Sequence, residues 1–414
     1  MLFPFYLNTN ANGGSYLKMK NQRNIFGVLS PTIMAILLLL FAQLFARANI
    51  IMTPYLQAVT EKSICVMVES DSTDPITIEY GRTASYGSKA TTNSMLSTNT
   101  KAETPTYVHR IYLTNLSSGR LYHYRATQDG KTFTKDASFV TAAPAGKPIR
   151  FAALADFRNN PTVHEAIAAR IKSAKPMFSI YGGDICSNGS YEAFKKEFFL
   201  PNELSLSSCV PFFNVPGNHE GWSTNTKAFT QAPISPKYDQ GYYSFDYGDV
   251  HFVAINNYVS YNENSAQWNF VNKDLSTSNK PWKIVFAHEP AYCAGGHNEN
   301  KQMINMTIKL FEPNKVDLVI AGHSHFYQHN LVNGIHHLVL GSAGAPLYDP
   351  GNAPYVVKSA KVYHYAIIDV DKNKLHITVY KEDGSIIDTI EIEKKASVSS
   401  SHSQKLTYAG HFER

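Results

Sequence analysis

The chain has 414 residues, enough for two domains of roughly 100–200 residues each, and its 43% of hydrophobic residues excludes an intrinsically disordered protein. Its formal net charge is +5, but four of its 38 Lys and Arg side chains lie in the first 48 residues, which contain no acidic residue. The rest of the chain carries 34 basic and 33 acidic side chains, so charge gives no reason to expect a nucleic acid as partner.

The first 48 residues have the order of a secretory leader. A basic segment follows Met19, which we take as the true start, an apolar run covers residues 33–45, and the small-x-small sequence "ARA" ends at Ala48. This order predicts a signal peptide cleaved after Ala48 and a secreted or periplasmic protein with no stable membrane anchor. The alternative is a single membrane-spanning helix, which needs about 20 apolar residues, more than this run provides.

Residues 49–143 predict an all-β domain. The segments "SICVMVES", "ITIEYG" and "YVHRIYLTNL" read as strands, and "YHYRATQDGKTFTKDASFVT" predicts a hairpin that turns at Asp129 and Gly130. About seven short strands without a helical period predict a β-sandwich. The segment "LSSGRLYHYR" resembles the fibronectin type III pattern, with Tyr122 at the position of its corner tyrosine.

Residues 144–395 change to an alternation of strands and helices, after the Pro- and Gly-containing linker "AAPAGKP". Apolar strands such as "IRFAALAD" and "MFSIYGGD" alternate with helices such as "PTVHEAIAARIKSAKP", which predicts an α/β layer structure with a buried sheet. The segment "YYSFDYGDVHFVAINN" lacks such helices and predicts antiparallel strands, and therefore a mixed or two-sheet core. Residues 396–414 form a polar tail.

Side chains of metal-ligand type follow the predicted α/β strands. They are Asp156, Asp184, Asn218, His219, His288, His323 and His325. Because the carboxyl ends of strands in an open α/β sheet line one rim, we expect these side chains in one crevice. An extended segment would direct His323 and His325 to the same side. Carboxylate, amide and imidazole donors suit Fe, Zn or Mn, and two such cations sharing one carboxylate can clamp a phosphate.

The motifs "LAD", "GGD", "GNHE", "FAH" and "GHSHFY" occur in the order found in calcineurin-like metallophosphoesterases. With a β-sandwich in front of these motifs, the chain resembles the purple acid phosphatases. The resemblance implies a four-layer αββα sandwich in the second domain and a binuclear metal centre. It also implies a reaction in which a metal-bound hydroxide attacks phosphorus in line, without a covalent enzyme intermediate.

The resemblance implies a role for each residue of these motifs. Asp184 would bridge two metal ions, with Asp156 and His325 on the first ion and Asn218, His288 and His323 on the second. His219 would be the general acid for the leaving group, and Glu220 would orient it. His297 would contact the substrate, and the alternative for this residue is a solvated position in a loop.

Two positions near the first metal ion depart from the family pattern. Arg158 stands where many members have the histidine of Asp-x-His, and Ser187 stands where purple phosphatases have a tyrosine. Without the tyrosinate we expect a protein that is not purple. Cys186, Ser187, Asn159 or water could complete the first site. Arg158 could contact the substrate phosphate, weaken the first metal ion by like-charge repulsion, or pair structurally.

The first hypothesis for function is a secreted phosphomonoesterase of acid-phosphatase type, with a small-molecule phosphate ester as substrate. A phosphodiesterase or nucleotide hydrolase on the same site is the alternative among enzymes. A non-catalytic phosphate- or metal-binding homologue is the alternative outside enzymes, and Arg158 and Ser187 motivate it. The four cysteines lack a CxxC-type spacing, which argues against a cysteine metal site.

Overall fold

The computed structural model describes residues 49–98, 105–128, 131–233, 238–297 and 299–394, which belong to one compact unit. The predicted leader, the hairpin turn at Asp129 and Gly130 and the polar tail lie outside the described residues. No helix among the described residues has the length and apolar character that crossing a membrane requires. None of the four cysteines forms a disulfide.

The structure contains strands from end to end of its described part, with helices only after residue 160. The strands are β1 (Tyr55–Gln57), β2 (Ile64–Ser70), β3 (Thr77–Gly81), β4 (Ser88–Thr91), β5 (Ser94–Thr98), β6 (Thr106–Leu113), β7 (Leu121–Gln128), β8 (Lys131–Thr132), β9 (Ala137–Val140), β10 (Ile149–Leu154), β11 (Phe178–Tyr181), β12 (Phe212–Asn214), β13 (Tyr243–Tyr247), β14 (Val250–Ala254), β15 (Trp282–Phe286), β16 (Leu318–Ala321), β17 (Tyr327–Val332), β18 (Ile335–Leu340), β19 (Val356–Ala360), β20 (His364–Asp371), β21 (Lys374–Lys381) and β22 (Ile386–Glu393). The α-helices are α1 (Pro161–Ala174), α2 (Tyr191–Ala193), α3 (Pro201–Ser207), α4 (Thr224–Phe229), α5 (Ala266–Thr277) and α6 (Lys301–Met306). Two π-helical turns, Phe194–Phe198 and Thr307–Phe311, continue α2 and α6.

The first nine strands form two facing layers, as the alternating segments predict. One layer has the order β1-β2-β6-β5, and the other has the order β4-β3-β7-β8, with β9 pairing beside β7. Strand β6 shows the expected alternation, with every second residue buried for most of its length. Tyr122 accepts a hydrogen bond from the backbone N–H of Ser117 at 2.9 Å through its hydroxyl oxygen, which is the contact that a corner tyrosine makes. The assignment of this region to the fibronectin type III class stays a prediction.

The first of these layers is continuous with the sheet of the following region. Strand β1 pairs with β12 in parallel, with Gln57 opposite Phe212, so both belong to one ten-stranded sheet. Buried polar contacts reinforce the junction. The Tyr55 hydroxyl donates to the Phe229 carbonyl at 2.9 Å, and Lys195 donates to the buried carboxylate of Glu69 at 2.8 Å.

Residues 149–394 form two sheets packed face to face with helices on both outer sides. Strands β20, β10, β11 and β12 lie side by side in the ten-stranded sheet, and β14, β15, β16 and β18 are consecutive in a seven-stranded sheet. The ring centroids of Phe151 and Phe252 are 5.4 Å apart across the gap between the sheets. Ile167 of α1 packs on the outside of one sheet, and Val271 of α5 packs on the outside of the other. The four-layer αββα arrangement implied by the family resemblance is therefore present.

The first helix begins where the sequence predicts and fixes the loop that carries Asp156. Asn160 caps α1 by accepting from the Val163 N–H at 3.4 Å, and Pro161 occupies the first turn, where its missing N–H costs nothing. The helix ends at Lys175, which has a left-handed conformation (φ 53°). The Asn160 cap therefore fixes the end of the short connection that leads from β10 into α1.

A buried carboxyl group behind this loop makes stability depend on pH. Glu203 of α3 is 1% exposed. It accepts a hydrogen bond from the Tyr181 hydroxyl at 2.9 Å, and it lies 3.5 Å from Nε2 of His164. Burial raises the pKa of Glu203 from 4.5 to about 8. The unfolded chain releases this proton above about pH 4.5 and the folded chain holds it until about pH 8, so stability falls across that window as pH rises.

We expect Glu203→Gln to stabilise the protein at pH 8 by on the order of 3 kcal/mol and to have little effect at pH 4.5. Glutamine keeps the oxygen that accepts from Tyr181 and stays neutral at both values. Urea unfolding at the two pH values measures the difference. The exposed Glu192 is the matched control, and Glu192→Gln should show no such pH dependence. Equal effects of Glu203→Gln at both pH values would contradict the prediction.

Candidate metal centre

The predicted ligand residues follow strands of both sheets and meet between them. Asp156 follows β10, Asp184 follows β11 and Asn218 follows β12, all in the ten-stranded sheet, whereas His288 follows β15 of the seven-stranded sheet. Ligand atoms of Asp156, Asp184 and His288 all lie within 4.8 Å of one another. The crevice therefore lies between the carboxyl ends of two sheets, whereas the sequence argument placed it at the rim of one.

One group of donors converges beside Asp184. His288 Nε2 lies 3.0 Å from Asn218 Oδ1, 3.2 Å from His323 Nδ1 and 3.5 Å from Asp184 Oδ1. His288 Nδ1 donates to the Gly182 carbonyl at 2.8 Å, which turns Nε2 toward the other donors. An imidazole lone pair, an amide oxygen and a carboxylate oxygen then face one another. Such a set fits a cation at this position.

A second group of donors lies on the other side of Asp184. Nε2 of His325 is 3.4 Å from Asp156 Oδ1, an oxygen that is buried and has no hydrogen-bond partner. His325 Nδ1 donates to the Pro346 carbonyl at 2.7 Å, so Nε2 again carries the lone pair. The guanidinium of Arg158 enters this group. Its Nε donates to Asp184 Oδ2 at 3.2 Å, and its Nη2 lies 3.3 Å from His325 Nε2.

Burial sets the protonation states of the candidate ligands. Burial, with the Asp184 charge adding to it, holds the pKa of Asp156 well above its usual value, so a cation would bind this carboxyl group by displacing its proton. Burial and the neighbouring His288 lower the pKa of His323 to about 3, and burial lowers that of His325 to about 4. Both imidazoles are therefore neutral, the form that binds metal ions. A buried carboxyl group with an unpartnered oxygen is costly unless a cation offsets it.

His219 and Glu220 both contact Asp184 but in different ways. The His219 backbone N–H donates to Asp184 Oδ1 at 3.0 Å, and its Nδ1 donates to the Ser187 carbonyl at 3.0 Å, so Nε2 faces Asp184 Oδ2 at 3.8 Å. Glu220 is 2% exposed. Its Oε1 accepts from the N–H groups of Asp184 and Gly217 at 3.1 and 2.7 Å. In this structure Ser187 orients the His219 ring, and Glu220 holds the backbone of the ligand loops.

The ligand loops have an unusual backbone. Asp156, Asp184 and His323 have φ values of 60°, 52° and 69°, a left-handed region that costs energy for residues with a side chain. A Cβ on Gly217 would overlap Asp184 Oδ1, so only glycine allows this approach. The expectation of an extended segment at His323 is wrong. The segment turns, with Ser324 N–H donating to the Gly322 carbonyl at 2.8 Å, and both histidines still reach the crevice.

Two rings form a wall at the mouth of the crevice. The His297 ring stacks on His323 with centroids 3.9 Å apart, and the Tyr348 ring stacks on His325 at 4.1 Å. His297 and Tyr348 meet edge to face at 5.6 Å. The sequence pattern indicated His297 but not Tyr348, which lies in the loop "SAGAPLYDP" outside every motif. Its backbone N–H donates to the His325 carbonyl at 2.9 Å, and only the folded chain shows this contact.

Comparison with known proteins agrees with this geometry. Residues 149–327 match the calcineurin-like phosphoesterase family. Purple acid phosphatase 18 of Arabidopsis thaliana is 26% identical over 276 residues, which cover 63% of this chain and 62% of that protein. Probable inactive purple acid phosphatase 9 of Arabidopsis thaliana is 24% identical over 377 residues, 72% of this chain and 58% of that protein. The chain thus spans less than two thirds of the length of either relative.

Solved structures support the fold. The purple acid phosphatase PPD1 from yellow lupin (Lupinus luteus) seeds superposes with a TM-score of 0.73 at 19% sequence identity, covering 82% of this chain and 74% of that chain. The likeness extends beyond the matched residues 149–327, because it covers more of the chain than they do. The chain contains a calcineurin-like phosphoesterase domain, and purple acid phosphatases are its homologues.

Proposed function

We propose that the chain is a secreted, metal-dependent phosphoesterase that hydrolyses small-molecule phosphate monoesters, as acid phosphatases do. The main support is the convergence of Asp156, Asp184 and His288 within 4.8 Å, from three separate strand ends. Two neutral imidazoles and an amide oxygen complete the donor set. When bound, Fe, Zn or Mn would supply Lewis-acid polarisation of the phosphoryl oxygens and would offset their developing charge. The basic and apolar leader ending at Ala48 supports secretion.

His219 has the geometry for proton transfer to the leaving group. Its Nδ1 proton is held by the Ser187 carbonyl, and its Nε2 faces the crevice beside Asp184. In the protonated ring, Nε2–H would donate its proton to the ester oxygen as the P–O bond breaks. Water would attack phosphorus opposite that oxygen, so no covalent enzyme intermediate forms. The ring is 32% exposed, which leaves a path for it to recover a proton from solvent.

The wall made by His297 and Tyr348 would contact the organic part of the ester. Both rings stack on ligand histidines and lie beside the phosphate position, where a planar leaving group could stack on them. We expect Tyr348→Ala to raise KM for an aryl phosphate roughly 3- to 10-fold, the effect of losing one aromatic contact. KM for glycerol phosphate and the metal content should not change. Equal losses on both substrates would contradict a stacking role.

The proposal is tested by parallel assays of the full chain reconstituted with Fe, Zn or Mn. We expect turnover of p-nitrophenyl phosphate that a chelator abolishes and added metal restores, with slower turnover of bis(p-nitrophenyl) phosphate. Dominant diester turnover would favour the phosphodiesterase alternative. Bound metal without hydrolysis of either ester would favour the binding homologue and would overturn the proposal.

A further inference from the structure

The guanidinium of Arg158 lies among the donors that the family resemblance assigns to a first metal ion. Its Nε donates to Asp184 Oδ2 at 3.2 Å, and its Nη2 lies 3.3 Å from His325 Nε2, the nitrogen that carries the lone pair. The side chain is 11% exposed. A guanidinium is charged at every pH at which proteins are folded. A permanent positive charge therefore stands at the position expected for the first ion.

The surrounding loop fixes Arg158 in this position. Its Nη1 donates to Asn159 Oδ1 at 2.7 Å. Asn159 has a left-handed backbone (φ 71°), and its N–H donates to Glu197 Oε2 at 3.3 Å. The next residue is Asn160, the cap of α1. Because hydrogen bonds hold both Arg158 and Asn159, the guanidinium has a fixed position in the crevice.

The side chains that could complete a first metal site are engaged elsewhere. Ser187 Oγ donates to Glu197 Oε1 at 2.5 Å, and Cys186 Sγ donates to the Asn188 carbonyl at 3.1 Å. Asn159 Oδ1 accepts from Arg158. Each of the three is therefore held by a partner outside the Asp156 and His325 group. Asp156 Oδ1, which has no hydrogen-bond partner, is the one oxygen of this group that a second cation could still use.

The donors of the second site are arranged differently. Those of Asn218, His288 and His323 lie 3.0–3.2 Å from one another, and Asp184 joins them through Oδ1 at 3.5 Å. Asp184 thus uses Oδ1 for this site and Oδ2 for Arg158. The carboxylate expected to bridge two metal ions bridges one metal position and one guanidinium.

We infer that Arg158 takes the place of the first metal ion, so that the chain binds a single ion on Asp184, Asn218, His288 and His323. The inference rests on the proposed metal centre and specifies its composition. A second ion would need the oxygen and the lone pair that the guanidinium now contacts, and it would meet a like charge at short range. The centre would then contain one exchangeable metal ion and one fixed positive charge, the guanidinium of Arg158.

Metal stoichiometry tests this inference without any measurement of turnover. The full chain is reconstituted with excess Mn²⁺, freed of unbound metal by gel filtration, and analysed for metal per chain. We expect one ion in the wild type with the EPR signal of an isolated Mn²⁺. We expect two in Arg158→Ala, with the signal altered by coupling between neighbouring ions. Arg150→Ala is the matched control, because Arg150 is an exposed arginine paired with Asp369, and it should keep one ion.

Arg158→His is a second variant in case Arg158→Ala does not fold. Its imidazole would fill part of the space left by the arginine and would add a metal ligand, so we again expect two ions. Thermal unfolding checks that each variant is folded. Two ions in the wild type, or one ion in both Arg158 variants, would overturn the inference. One ion with no ester hydrolysis would leave this inference standing and remove the proposed activity. Two ions with hydrolysis would overturn this inference and leave the proposed activity standing.

Discussion

Asp184→Asn is expected to lower kcat/KM for a phosphate monoester by about 10³-fold or more, because the loss of a charged metal ligand removes several kcal/mol of transition-state stabilisation. Asp184 is 1% exposed and joins His288 to Arg158 through its two oxygens. The substitution also leaves the Arg158 charge without its carboxylate partner, so we expect stability to fall by on the order of 3 kcal/mol.

Steady-state kinetics, elemental analysis and urea unfolding together check this result. Asp369→Asn makes the same change in charge at an exposed pair with Arg150, and it should leave metal content and turnover unchanged. If Asp184→Asn kept a full metal complement and near-normal turnover, Asp184 would not be a metal ligand, and the site would have to be assigned anew.

His219→Ala is expected to lower kcat by about 10²- to 10⁴-fold, the usual contribution of a general acid, while metal content stays unchanged. The loss should be larger for alkyl phosphates than for p-nitrophenyl phosphate, because a poor leaving group depends more on protonation. The structure supports the unchanged metal content. His219 touches Asp184 through its backbone N–H at 3.0 Å, and that contact survives removal of the ring.

A comparison of leaving groups separates proton donation from structural support. A ligand-like or structural role for His219 would reduce turnover equally for both esters or reduce the metal content, and either outcome would contradict general-acid catalysis. The matched control is His376→Ala. His376 is a partly exposed histidine of β21 that pairs with Glu391 at 3.2 Å, and its removal should affect neither ester.

Much of the candidate site could be predicted because its candidate ligands follow strands. "IRFAALAD" and "MFSIYGGD" are apolar runs ending in an acid, and the carboxyl ends of such strands must meet at one end of a layer. Their position in the chain therefore indicates, from the sequence alone, that Asp156 and Asp184 are candidate metal ligands. His288 and Asp184 follow strands of different sheets, and the sequence does not reveal this because strand periodicity does not tell which sheet a strand joins.

The finer contacts were beyond prediction, for physical reasons. The left-handed backbone at Asp156 and His323 is imposed by surrounding loops, and the apolar pattern of the preceding strands does not encode it. The contacts of Arg158 and Glu220 depend on side-chain directions that spacing does not encode. Tyr348 reaches His325 from a loop with no motif of its own. The departures at Arg158 and Ser187 were visible in the sequence, but their partners were not.

The sheet shared across β1 and β12 has a consequence for dissecting this protein. A fragment beginning at residue 144 would lack β1, and the backbone of Phe212–Asn214 would become an open edge ready to recruit foreign strands. Phe229 would lose the hydroxyl that now donates to its carbonyl oxygen. The region before residue 144 thus covers an edge of the sheet in the rest of the chain, so expression of either part alone should yield insoluble material.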